Sequence, residues 1–173
     1  MSLREFSEAL PDYAKDIRLN LNSLVGDQTL SDQRKYGLLL TTAHGSGYKP
    51  LVDAAEAECT PKLSPEAANA ARAAAAVMAM NNVYYRFTHL ASNKEYGTLP
   101  AKLRMNVIGA PGIDKADFEL FSLAVSAQNG CGMCIDSHEK VLKGHNVAAD
   151  VIQSAARIAS VMKAAATVHA TKV

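Results

Sequence analysis

Ser64-Pro-Glu-Ala-Ala-Asn-Ala-Ala-Arg-Ala-Ala-Ala-Ala-Val-Met-Ala-Met-Asn-Asn-Val-Tyr-Tyr85 decides the fold class. Ser64 is a helix cap, Pro65 suits the first helical position, and Glu66 sets a negative charge against the positive end of the helix dipole. The alanines that follow have the highest helix propensity of any residue and no bulk, so neighbouring helices can approach closely. Outward from this stretch the same signals recur. Ser31 can cap a helix that carries Leu38, Leu39 and Leu40 and ends near Gly45 and Gly47, and a shorter helix follows Pro50. A first helix runs from Leu3 to near Leu24 with a break at Pro11. Ser92 to Gly112 concentrates Gly and Pro and reads as a crossover with a short helix over Leu103 to Ile108.

Asp114 with Asp117 three residues later has the spacing of a capping box and opens a helix to about Gln128. Asn129-Gly130 breaks it. The helix restarts near Cys131, shows Ile135, Val141 and Leu142 as its apolar side, and stops at Gly144; a last Ala-rich helix runs from about Ala148 to the end. Alternating β-branched runs and hairpin turns are almost lacking, so the expected fold is all-α without a sheet, one domain over residues 1–173. Two Ala-rich helices in the two halves hint at related helical units.

With 18 basic and 17 acidic residues and a net charge of +1, the chain has no electrostatic footprint for nucleic acid or anionic lipid. Met1 to Leu10 lacks the basic start and apolar run of a signal peptide, and no apolar stretch approaches membrane-spanning length, so the expectation is cytoplasmic. Three cysteines are too few for a secreted disulfide framework. Cys59 stands apart behind Glu56 and Glu58, which disfavour a thiolate, and is read as inert. His44, His89 and His169 have no motif around them.

Cys131-Gly-Met-Cys134 is the stretch that carries chemistry. At i and i+3 on a first helical turn, two thiols share a face and can close a small disulfide ring, and the helix N-terminus favours thiolate over thiol. His138, four residues after Cys134, lies over the same face and can exchange a proton with that sulfur. The dipole favours Cys131 as the reactive thiol and the imidazole favours Cys134. The imidazole has more weight, because a dipole effect of about 1 kcal/mol fades within a turn while a positioned acid-base group contributes roughly 100-fold or more in rate. The same Cys131, Cys134 and His138, with His145 as a fourth donor, could instead hold zinc in a binding module. Haem attachment is excluded because Ile135 follows the second Cys, and a thioredoxin domain is disfavoured because no strand precedes the motif. Glu119 precedes the motif and could fold back across Asn129-Gly130 toward His138, although an isolated helical Glu is more often a solvated face.

Together with their flanks these residues resemble the AhpD family of alkyl hydroperoxide reductases, in the carboxymuconolactone decarboxylase-like superfamily. The resemblance rests on Leu10-Pro-Asp-Tyr-Ala-Lys-Asp-Ile17, Met78-Ala-Met-Asn-Asn-Val-Tyr-Tyr-Arg86, Leu103-Arg-Met-Asn-Val-Ile108, Pro111-Gly-Ile-Asp-Lys-Ala-Asp-Phe-Glu-Leu120 and Ala127 to Lys140, and so covers nearly the whole chain. It implies a helical bundle assembled as a homotrimer, with Glu119 and His138 relaying protons, Cys134 attacking a hydroperoxide and Cys131 resolving the sulfenic acid. It also implies no bound cofactor, reduction by dihydrolipoamide on a lipoylated acyltransferase, and electron transfer through Cys131 to the peroxiredoxin AhpC. Met133 stands where relatives often have His. It carries no proton, which points to a weaker peroxidase step with dithiol exchange intact, and to an AhpC adaptor as the second reading. The namesake decarboxylation has no use for CxxC.

Overall fold

The computed structural model describes residues 1–172, which form eight α-helices joined by turns, with no strand among the described residues. Ser2 and Glu5 form a reciprocal capping box that opens α1 (Leu3–Glu8). Pro11 breaks the chain as expected, and after a 3₁₀ turn at Asp12–Ala14 it resumes as α2 (Lys15–Gly26). The Ser31 hydroxyl accepts the Arg34 N–H and starts α3 (Asp32–Ser46), which Gly47 ends in the left-handed conformation. Pro50 lies in the first turn of α4 (Lys49–Cys59), and Ser64 caps the 26-residue α5 (Pro65–Leu90). Beyond the crossover come α6 (Lys115–Gln128), α7 (Gly132–Gly144) and α8 (Ala149–Thr171). No described helix is long and apolar enough to cross a membrane.

The centre of the bundle is α3 packed against α6. Both are buried nearly all round, from Lys35 to Ala43 and from Ala116 to Ser126, as central helices must be. Gly37 permits their contact, because a Cβ there would collide with the Phe121 ring. The Ala-rich α5 and α8 each pack on both central helices, α4 lies beside α3 and α7 beside α6. The triplets α3-α4-α5 and α6-α7-α8 thus take matching places, and α1 and α2 close the bundle against α4 and α8.

Three expectations are corrected. Leu103 to Ile108 is not a helix but ends in one 3₁₀ turn, Asn106–Ile108, because Lys102 adopts a left-handed φ of 53° and Met105 a non-helical φ, ψ of −143°, 36°. Asp114 does cap α6, accepting from the Ala116 and Asp117 N–H groups, but the capping box is not completed. Asp117 turns to α3, accepting from Gln33 Nε2 and Arg34 Nε at 2.6 Å each, since a cation on the facing helix is the stronger partner. Finally, Ile135 and Val141 are only half-buried, and the buried face of α7 is Cys134, His138 and Leu142.

Candidate active site

The site begins at the corner between α6 and α7. Gly130 takes a φ of 65°, which a side chain would resist, and lets the Cys131 N–H donate back to the Ser126 carbonyl at 3.1 Å. The corner is tied to α5 from two sides: Arg86 Nη1 donates to the Asn129 carbonyl, and Asn129 Nδ2 donates to Asn82 Oδ1 at 3.0 Å. Cys131 falls at the N-cap of α7 and Cys134 in its first turn, with Cα atoms 5.3 Å apart and the sulfurs joined in a disulfide. No side chain caps this helix, so its first N–H groups remain available to a thiolate formed on reduction. Cys131 is wholly buried; Cys134 is nearly so and lines a cavity.

His138 lies one turn beyond Cys134 on the wall of that cavity. Its Nδ1 is 2.6 Å from Glu119 Oε2, while Lys115 Nζ donates to Glu119 Oε1, also at 2.6 Å. Glu119 is 2% exposed. Burial pushes its carboxyl up, but the hydrogen bonds from His138 and Lys115 outweigh that and hold it below the usual carboxylate range. Glu119 is therefore an anion at neutral pH. On its other side the imidazole presents Nε2 to Met78 Sδ at 3.2 Å. Asn82 Nδ2 donates to Ser126 Oγ at 2.9 Å just behind that sulfur, so α5, α6 and α7 are pinned together beneath the ring.

The cavity has a volume of about 340 Å³. Glu119, His138 and Cys134 form a polar end, and Met78, Tyr85, Met105, Ile108 and Val141 supply apolar wall. Such a chamber suits a compact organic molecule with one polar group.

The structure therefore brings Cys131, Cys134, His138 and Glu119 together, with Glu119 folded back across Asn129-Gly130. Lys115 escaped the sequence reading, although its i, i+4 spacing to Glu119 was a usable signal. It also donates to the Ile108 carbonyl at 2.6 Å, joining the crossover to the buried carboxylate. The zinc arrangement does not assemble: among the described residues no three His, Cys, Asp or Glu side chains are grouped to hold a metal ion. His145 caps the far end of α7, about 20 Å from Cys131 at the rise of a helix. Cys59 is buried with its thiol pushed up to about 12, chiefly by desolvation and then by Glu58. His44 pairs with Glu56 at 2.7 Å, and His169 stacks on Phe6 and meets the Tyr48 hydroxyl.

Residues 94–173, from the crossover through α8, match the carboxymuconolactone decarboxylase family. Over its full 173 residues the chain is 81% identical to an alkyl hydroperoxide reductase AhpD of Rhizorhabdus wittichii, all of whose length is covered. It is 60% identical to one from Rhodopseudomonas palustris, with 96% of this chain and 92% of the relative covered. An AhpD of Brucella suis is 55% identical, with 96% and 95% covered. Identity of this extent, over a bundle that closes around one CxxC pair and one buried His-Glu pair, assigns the chain to the AhpD family of alkyl hydroperoxide reductases, a family of oxidoreductases.

Proposed function

We propose that the chain, acting as one domain over residues 1–173, reduces organic hydroperoxides with the Cys131/Cys134 dithiol. The observation that carries this reading is that Cys134 shares a cavity with His138, whose far nitrogen is held by the buried anion of Glu119. In the reduced protein His138 accepts the Cys134 thiol proton. The thiolate attacks the terminal peroxide oxygen; an S–O bond forms, the O–O bond breaks, and the departing alkoxide takes the proton from His138. Cys134 is now a sulfenic acid. The Cys131 thiol passes its proton to His138 and its sulfur attacks that of Cys134; an S–S bond forms, the S–O bond breaks, and the hydroxide takes the proton from His138 and leaves as water. An ionised carboxylate can only accept, so Glu119 draws a proton onto Nδ1 and leaves Nε2 to carry the exchange.

Dihydrolipoamide on an acyltransferase is the proposed reductant. The exposed Gly130 and Gly132 around the buried pair favour a slim dithiol, whose second sulfur expels the first intramolecularly. Onward transfer to AhpC through Cys131 calls for the start of α7 to open, because Cys131 is wholly buried in the disulfide. A reducing compartment such as the cytoplasm suits this cycle. The proposed assembly is a homotrimer: Val83, Phe87 and Leu90 lie exposed along one side of α5, a face that another subunit can cover. Light scattering at micromolar concentration tests it, and a monomeric mass overturns it.

The decisive experiment is a thiol count on the reduced protein before and after one equivalent of hydroperoxide, with two thiols lost. Cys131→Ser should react once and stop at a trappable sulfenic acid, whereas Cys134→Ser should not react. The adaptor reading is favoured by one observation: Met133, exposed between the cysteines, carries no proton. It predicts that peroxide is consumed only when AhpC is added.

A further inference from the structure

Two adjacent asparagines on α5 behave differently. Asn82 is fully used, donating to Ser126 Oγ and accepting from Asn129 Nδ2. Asn81 is not: its Nδ2 faces Met105 Sδ at 3.7 Å, and its Oδ1 has no hydrogen-bond partner although the residue is only 4% exposed. A thioether sulfur has no hydrogen to give, so the amide nitrogen must face it and the oxygen is the orphan. Buried acceptors left unpaired are costly and uncommon in native proteins. This one belongs to a residue on the wall of the cavity that holds Cys134, His138 and Glu119. Glu119, by contrast, already accepts one hydrogen bond on each oxygen, from Lys115 and from His138.

We propose that Asn81 is a substrate-binding residue whose Oδ1 accepts the O–H of an organic hydroperoxide, with the organic group against Met105, Ile108 and Tyr85. This rests on the peroxidase reading above and adds to it a group that orients the peroxide. With its O–H held by Asn81, the terminal oxygen is presented to the Cys134 thiolate and the O–O bond is directed away from the sulfur. Attack then forms S–O and breaks O–O, Cys134 loses two electrons to the peroxide, and the alkoxide leaves as an alcohol with the proton from His138. Asn81 donates nothing and is unchanged at the end. Hydrogen peroxide has an O–H but no organic group, so it gains the anchor without the apolar wall.

The test uses the whole protein, its Asn81→Leu variant, which keeps the volume without the acceptor, and Asn81→Ala, which cannot clash. Three quantities are read: kcat/KM for tert-butyl and cumene hydroperoxide, the rate at which dithiothreitol reduces the Cys131–Cys134 disulfide, and Tm. Both variants should lose about tenfold in kcat/KM with both hydroperoxides, the worth of one neutral hydrogen bond. Disulfide reduction should be unchanged. Tm of Asn81→Leu should equal or exceed that of the parent, since an unpaired buried acceptor has been removed. A variant with unchanged kcat/KM overturns the proposal. So does a loss matched in the dithiothreitol step and accompanied by a lower Tm, which marks a packing residue. Failure of the parent protein to lose two thiols to hydroperoxide would instead reject the peroxidase reading.

Discussion

The two helical triplets hold the same kind of ion cluster and very different sulfurs. In α3-α4-α5, Glu56 accepts from His44 at 2.7 Å and from Arg72 through two nitrogens at 2.6 and 2.8 Å, with Thr60 as a further donor. In α6-α7-α8, Glu119 accepts from His138 and Lys115 at 2.6 Å each. Each is an imidazole, a carboxylate and a second cation spanning two or three helices. Cys59 is the last residue of α4, at the negative end of the helix dipole, buried beside Glu58, and its thiol is pushed up to about 12. Cys131 and Cys134 stand at the positive end of α7, on a start that no side chain caps. A His-Glu pair therefore does not by itself make a reactive site. What differs is the end of the helix that bears the sulfur and the presence of a cavity between the sulfur and the imidazole.

That contrast can be broken most directly at the thiols. Cys134→Ser should lower hydroperoxide consumption by about a thousandfold or more, while Cys59→Ser leaves it unchanged, both read by loss of peroxide under single-turnover conditions. Activity lost equally in the two variants would erase the distinction.

Next come the two His-Glu pairs. His138→Gln and Glu119→Gln should each slow the peroxide step by about 100-fold with Tm little changed, since the first removes the proposed proton carrier and the second the anion that orients it. His44→Gln should leave that rate unaltered and act on Tm alone, because its partner Glu56 lies outside the cavity. A matching loss of rate in His44→Gln would mean that the first cluster also takes part in the reaction.

A smaller effect sharpens the role of the second cation. Lys115→Met removes one of the hydrogen bonds that keep Glu119 below the ordinary carboxylate range, so the Glu119 pKa rises. The acid limb of the pH–rate profile should move to higher pH, with about a tenfold loss of rate at neutral pH. An acid limb that stays in place would show that Lys115 anchors only the Ile108 carbonyl.

The smallest effect is on stability. Hydrogen bonds from Arg72, against the opposing effect of burial and with help from Thr60 and His44, depress Glu56 from 4.5 to about 2. A depressed carboxylate stabilises the fold fully above its unfolded pKa and loses that contribution as pH falls through the folded value. Wild type should therefore melt about 2–4 °C above Glu56→Gln at neutral pH, and the gap should close as pH falls from 4.5 towards 2. A gap that persists at pH 2 would assign the difference to packing.

The helix order was legible because its signals act within a turn or two. Ser64 before Pro65, Ser31, Pro11 and Gly130 each act on backbone groups one to four residues away, and the structure bears out each of these boundaries. The i, i+3 and i+4 relations of Cys131, Cys134 and His138 are likewise properties of a single helix. Where local signals competed with a partner on another helix, the partner won. Asp117 left its capping box for Arg34, and Leu103 to Ile108 gave up helix for a path that lets the Ile108 carbonyl reach Lys115.

By itself, then, the sequence determined an all-helical chain with two thiols and an imidazole on one face of a helix start, since helix geometry alone places those groups. The tertiary structure decided the rest. Packing of α5 and α7 against α6 buried Glu119, whose charge is held by His138 and Lys115, and left Cys134 on the wall of a small cavity between α5, the crossover, α6 and α7. It also left Asn82 satisfied and Asn81 with an unpaired oxygen, a difference between identical neighbours that no single-helix rule contains. The contacts of His138 with Glu119 and Met78 and of Asn82 with Ser126 join residues from 19 to 60 positions apart, and their geometry exists only once the helices have met.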